Sequence, residues 1–114
     1  MGWFKKKPAD YQSPLLDRAC FAQIELFDTM RNKTSNSIYE ISGAPTRDPY
    51  GYVFFMDHCT LAMERFRIVG VTALYDAEKR PIPIDGFNFD FETAQENDCA
   101  FMIVRPKKTV HYKI

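Results

Sequence analysis

Ser13-Pro14-Leu15-Leu16-Asp17-Arg18-Ala19-Cys20-Phe21-Ala22-Gln23-Ile24-Glu25-Leu26-Phe27-Asp28-Thr29-Met30-Arg31 is the stretch whose period sets the fold class. A serine hydroxyl before a proline suits a helix start, because the hydroxyl accepts an orphan N–H bond and proline at the first helical position sacrifices no donor. At about 100° per residue, Asp17, Arg18, Glu25, Asp28 and Arg31 gather on one side. Leu15, Leu16, Ala19, Ala22, Leu26, Phe27 and Met30 gather on the other. Phe21, Gln23 and Ile24 fit this arrangement imperfectly and leave room for a strand near residues 23–27. The spacing therefore predicts an amphipathic N-terminal helix, closed by the polar run 32–36 with Arg31 and Lys33 at its negative end.

Beyond Ser37 the signals are those of strands. Residues 38–42 form a short apolar-polar segment before Gly43 and Pro45, and residues 52–56 form another after the turn-rich Asp48-Pro49-Tyr50-Gly51. Residues 57–65 fit either a short helix or a bulged strand. Residues 67–75 are rich in β-branched side chains, whereas Pro81 and Pro83 confine residues 81–84 to an edge or an extended loop, since neither can donate to a ladder. Phe87, Phe89 and Phe91 alternate with Asn88, Asp90 and Glu92, the pattern of a strand with an aromatic inner face and an acidic wet one. Residues 99–104 are apolar on both faces, which predicts either a central strand covered on each side or a strand beside the helix, ending at Pro106.

A helix followed by a run of strands predicts an α+β domain, its N-terminal amphipathic helix packed on a twisted antiparallel sheet of about five or six short strands. The chain divides into a flexible basic arm, residues 1–12, and one α+β domain, residues 13–114. Apolar residues make up 46% of the 114-residue chain, enough for one core to offset the entropy of ordering.

Fifteen basic residues balance fifteen acidic ones, so no global field recruits nucleic acid or anionic lipid. Cys20, Cys59 and Cys99 are odd in number and widely spaced, without a C-x-x-C pair, which disfavours a disulfide framework or a zinc site. With no apolar run near the roughly 18 residues of a membrane span and no secretory leader, the expected compartment is the cytoplasm.

Asp57, His58 and Cys59 place an acid, an imidazole and a thiol in sequence, but neighbours on a strand alternate faces and seldom form a nucleophile-base pair. They mark the mouth of a pocket only if the sheet curves around the helix. Asp85, Asp90, Glu92 and Asp98 lack the spacing of a Ca²⁺ loop, and alternation already explains Asp90 and Glu92 as a wet face. His111 sits in a basic tail, and the chain lacks the motifs of phosphate loops and metalloproteases. No catalytic residue, metal or cofactor is assigned.

The composition points to a small non-enzymatic protein-binding or adaptor domain, because its aromatic residues exceed what a small core needs. Trp3, Phe4, Lys5, Lys6 and Lys7 form a ring-and-cation arm, and Tyr50 and Tyr52, with Tyr39, Phe54 and Phe55, surround a turn-rich segment suited to partner contact. The partner expected is another protein, with homo-oligomerisation through an open sheet edge as a further route. The arm also permits weak membrane-surface contact. Two alternatives differ in class: a small-ligand or enzymatic domain with a pocket at Asp57, His58 and Cys59, and nucleic-acid or anionic-surface binding through the basic termini, which the zero net charge disfavours.

Overall fold

The computed structural model describes residues 15–48 and 51–107, and in it the expected N-terminal helix is replaced by a strand. Residues Leu16–Arg18 make one 3₁₀ turn, and Phe21–Asp28 then form β1. The order continues with β2 (Lys33–Glu40), β3 (Ser42–Asp48), β4 (Gly51–Asp57), α1 (Cys59–Ala62), β5 (Phe66–Tyr75), β6 (Pro81–Ile82), β7 (Phe87–Ala94) and β8 (Cys99–Pro106). These strands form two antiparallel four-stranded sheets, ordered β2-β1-β5-β6 and β3-β4-β8-β7. The expected α+β class is thus corrected to a mainly β architecture, since the four-residue α1 is the only α-helix among the described residues.

Period two explains the correction. Ala22, Ile24, Leu26 and Asp28 are buried, while Phe21, Gln23, Glu25 and Phe27 are half-exposed on the opposite face. Pairing with β2 on one side and β5 on the other satisfies the β1 backbone in two ladders. The helical reading counts Phe27 as a core residue, but Phe21 and Phe27 lie on the outer face. There the Lys79 ammonium sits 4.7 Å from the Phe21 ring centroid and the Arg67 guanidinium 5.2 Å from that of Phe27.

The inner faces of both sheets share one core. Ala22, Ile24 and Leu26 from β1 and Leu74 from β5 join Tyr52, Phe54 and Met56 of β4 and Ala100, Met102 and Val104 of β8. Each large apolar side chain so buried contributes on the order of 1.5–3 kcal/mol. Phe87, Phe89 and Phe91 pack against this core from β7, with Asn88, Asp90 and Glu92 exposed, as their alternation predicts. β8 lies between β4 and β7, the central position expected for residues 99–104.

The chain crosses between sheets at three places. β2 passes into β3 with only Ile41 between them, α1 links β4 to β5, and residues 83–86 link β6 to β7. Gly43 and Pro45, expected to end a strand, lie inside β3, where Gly43 has φ 75° and the register with β4 shifts. Two further shifts occur where ten residues of β5 oppose eight of β1, leaving Val69 and Thr72 without a register partner on β1. Core contacts on β5 accordingly fall at Phe66, Ile68, Val71 and Leu74.

An ion pair ties the β1–β2 turn to the segment between α1 and β5. Arg65 donates to Asp28 through Nε at 3.0 Å and Nη2 at 2.7 Å, and the amides of Met30 and Arg31 donate to the same carboxylate. Thr29 returns the link, its amide and hydroxyl both donating to the Arg65 carbonyl. Asn32 closes the turn at φ 58°, a left-handed conformation that asparagine tolerates.

The Arg65 hydrogen bond, reinforced by the Arg31 and Met30 amides, holds the Asp28 carboxyl well below the usual carboxylate range. Hydrogen bonds from the Arg80 amide and side chain lower that of Asp76 in the β5–β6 turn. In the unfolded chain both carboxyls titrate near about 3.9, so their contribution to stability is complete above that pH and drains away as pH falls toward the folded-state values. Asp28→Asn should lower the melting temperature at neutral pH and flatten its fall below about pH 4, as read by thermal unfolding across pH. A Cβ on Gly51 would lie 2.1 Å from the Val104 carbonyl oxygen, a backbone atom of the neighbouring strand. Gly51→Ala should therefore destabilise by about 3 kcal/mol, measured by denaturant unfolding.

Candidate functional site

Alternation along β4 and β8 sends Tyr52, Phe54, Met56, Ala100, Met102 and Val104 inward and turns Val53, Phe55, Phe101 and Ile103 to the outer face of the second sheet. Register places Val53 opposite Ile103 and Phe55 opposite Phe101. The Phe55 and Phe101 rings lie 5.5 Å apart, tilted by 58°, and are 38% and 36% exposed. Because β4 and β8 are the two inner strands of their sheet, this apolar strip runs along its middle.

The two borders differ. On the β7 side Asp90 stands opposite Ile103 and Glu92 opposite Phe101, and both carboxylates are exposed. On the β3 side Thr46 stands opposite Val53 and Ser42 opposite Phe55. The result is an apolar strip two strands wide with a negative border on one side and hydroxyls on the other. Exposed aromatic rings beside one another gain more from desolvation by a partner than isolated surface apolar residues do.

The outer face of the first sheet is furnished differently. Tyr75 donates its hydroxyl to Gln23 Oε1 at 3.0 Å, Thr72 donates to the Gln23 carbonyl at 3.3 Å, and the Phe21 and Phe27 rings carry cations over them. Its aromatic side chains are engaged within the chain.

Trp3, Phe4, Lys5, Lys6, Lys7 and Tyr50 lie outside the described residues, as do the basic residues after Lys107 on which the nucleic-acid alternative draws. Tyr52, expected at a contact surface, is instead 1% exposed and stacks against Phe54 at 6.1 Å. Its ring lies 5.4 Å from the Arg47 guanidinium, which in turn pairs with Asp17 in the 3₁₀ turn. Burial pushes the Tyr52 phenol upward in pKa, as it does for Tyr39, so both are structural phenols. Tyr39, Tyr52 and Phe54 are all interior, and Phe55 alone of the aromatic residues named around that segment is exposed among those described.

Asp57, His58 and Cys59 do not converge. Asp57 ends β4, His58 precedes α1 and Cys59 opens it, with Asp57 and Cys59 exposed and His58 half-buried. No hydrogen bond joins the three among the described residues. The His58 ring meets Tyr39 edge-on at 4.3 Å, and its Nδ1 is enclosed without a hydrogen-bond partner. The groove between α1, β5 and β7 begins at Leu61 on α1 and includes none of the three. Asp85, Asp90, Glu92 and Asp98 form no metal-binding group with any other His, Cys, Asp or Glu among the described residues.

The sequence pattern does not single out Phe101, Val53 and Ile103. Their signal is the run 99–104, apolar on both faces, which alternation alone explains by cover on both sides; among the described residues the inner side chains are buried, while Phe101 is exposed and Ile103 half-buried. No protein-family model, curated protein or solved structure matches the chain.

The adjacent aromatic residues separate core from site. Phe54→Ala should cost about 3–5 kcal/mol in denaturant unfolding, because Phe54 is fully buried. Phe55→Ser combined with Phe101→Ser should cost no more than about 1–2 kcal/mol, the value of a cross-strand aromatic pair in partial contact with water.

Proposed function

We propose that this chain is a non-enzymatic protein-binding domain that docks a partner protein on the outer face of its second sheet. The observation that carries the reading is the strip of Val53, Phe55, Phe101 and Ile103 on the two inner strands of that sheet, in which Phe55 and Phe101 are exposed and Val53 and Ile103 half-buried among the described residues. Such a strip has the composition of an interface centre, aromatic and free of charge, and its neighbours Asp90 and Glu92 supply a polar rim. The complementary partner surface is apolar at its centre and carries Lys or Arg where it meets β7. The cytoplasm is the compartment proposed, supported by three cysteines that form no disulfide, Cys20, Cys59 and Cys99. The pocket alternative has weaker support, since Asp57, His58 and Cys59 lie apart from the groove and from one another.

A photo-crosslinking side chain at position 55 should capture a distinct protein in cells of the source organism, whereas one at Ile38, exposed on the first sheet, should not. Binding of that purified partner should weaken at least about tenfold with Phe55→Ser and Phe101→Ser combined, the loss expected for a hot-spot pair. Equal capture from both faces, or unchanged affinity of the double variant, would overturn the assignment.

A further inference from the structure

Sheet edges are where antiparallel proteins recruit or refuse further strands. β6 is two residues long and contains Pro81, with Pro83 just beyond it, and β3 contains Gly43, Pro45 and a register shift. The edge of β5 beyond its short pairing with β6 carries Val69 and Thr72 at its register shifts, bulges that raise local twist and spoil a pairing template. β2 pairs regularly with β1, but residues 33–38 are exposed on both faces, so an added strand would find no apolar floor there.

β7 differs from all of these. Its eight residues pair with β8 without a register shift, it contains no proline, and its other side pairs with no strand among the described residues. Beside that free edge runs an open groove of about 470 Å³ between α1, β5 and β7. Leu61, Phe66, Ile68, Phe89 and Phe91 contribute apolar walls, and Glu64 and Asp90 stand at the same groove. A strand edge on one side, apolar rings on the floor and carboxylates beside them suit an extended peptide better than an apolar small molecule.

We propose that the free edge of β7 accepts an extended segment of a partner protein whose side chains alternate between apolar and basic. Main-chain hydrogen bonds to β7 would lengthen the second sheet by one strand, with apolar side chains entering the groove and cations meeting Asp90 and Glu92. A second copy of this chain is the poorer occupant. Antiparallel pairing of β7 with its own copy would bring the Asp90 and Glu92 carboxylates of both copies together, a like-charge arrangement that opposes pairing. The same two residues therefore discourage self-association and select a cationic strand.

Isotope-labelled protein titrated with a short synthetic peptide of alternating Lys and Val should show saturable amide shifts at residues 88–93 and slowed amide exchange along β7. The Asp90→Lys, Glu92→Lys double variant, whose fold is checked by its own amide spectrum, should bind this peptide about tenfold more weakly and favour the Glu–Val analogue. Asp90→Asn with Glu92→Gln should fall between the two. The Phe55→Ser, Phe101→Ser variant should bind the peptide unchanged, which keeps this site distinct from the docking face. Equal binding of the Glu–Val analogue to the wild-type chain, shifts confined to Phe55 and Phe101, or no saturable shift at all would each refute the proposal.

Discussion

The constraint on which the rest of the structure depends is the burial, in one shared core, of every second side chain from the inner strands of two sheets. Ala22, Ile24 and Leu26 supply one side and Phe54, Met56, Met102 and Val104 the other. Once those residues are committed inward, strand geometry assigns the intervening ones to the outer faces without further choice. The two outer faces then diverge. On the first sheet the leftover rings lie under Lys79 and Arg67, and Tyr75 bonds Gln23. On the second, Phe55 and Phe101 lean on each other and face solvent. The chemical difference between the two outer faces lies in which rings are engaged within the chain.

Loops and edges are held by a small number of polar devices. Asp28 and Arg65 fasten the β1–β2 turn to the segment that follows α1, and Asp76 gathers the amides of Glu78 and Arg80 in the β5–β6 turn. Each carboxylate is stabilised as an anion by the hydrogen bonds it receives, so both turns are tied to the ionised state. Prolines, bulges and a left-handed glycine disrupt the edges at β6, β5 and β3, whereas β7 stays regular and carries carboxylates. Among the described residues no strand pairs with the second side of β7.

Several strands are legible from local pattern alone. The Phe87-Phe89-Phe91 stripe, the apolar run at residues 99–104 and the β-branched residues 67–75 all form β-strands near their expected limits. The prolines at 81 and 83 correctly imply a short edge. The pattern misleads in β1, where Phe27 adds apolar weight on the outer face and, with Ala22 and Leu26, makes a two-residue period resemble a helical one. Tyr52, expected at a contact surface, is buried for a related reason. Sequence shows that a ring is present, whereas the register of β4 against β8 decides which side of the sheet it occupies.

By itself, the sequence determined that this chain could bury an apolar, aromatic-rich core, that its later half would be strands, and that β7 would have an acidic side. Those properties follow from composition and local alternation. Tertiary structure alone decided that residues 21–28 are extended, that β4 and β8 lie side by side, and that Phe55 and Phe101 on the strip they share are exposed among the described residues. The physical reason is that extended backbone is satisfied only by neighbouring strands distant in sequence, and exposure of an outer face depends on what the remaining chain leaves uncovered.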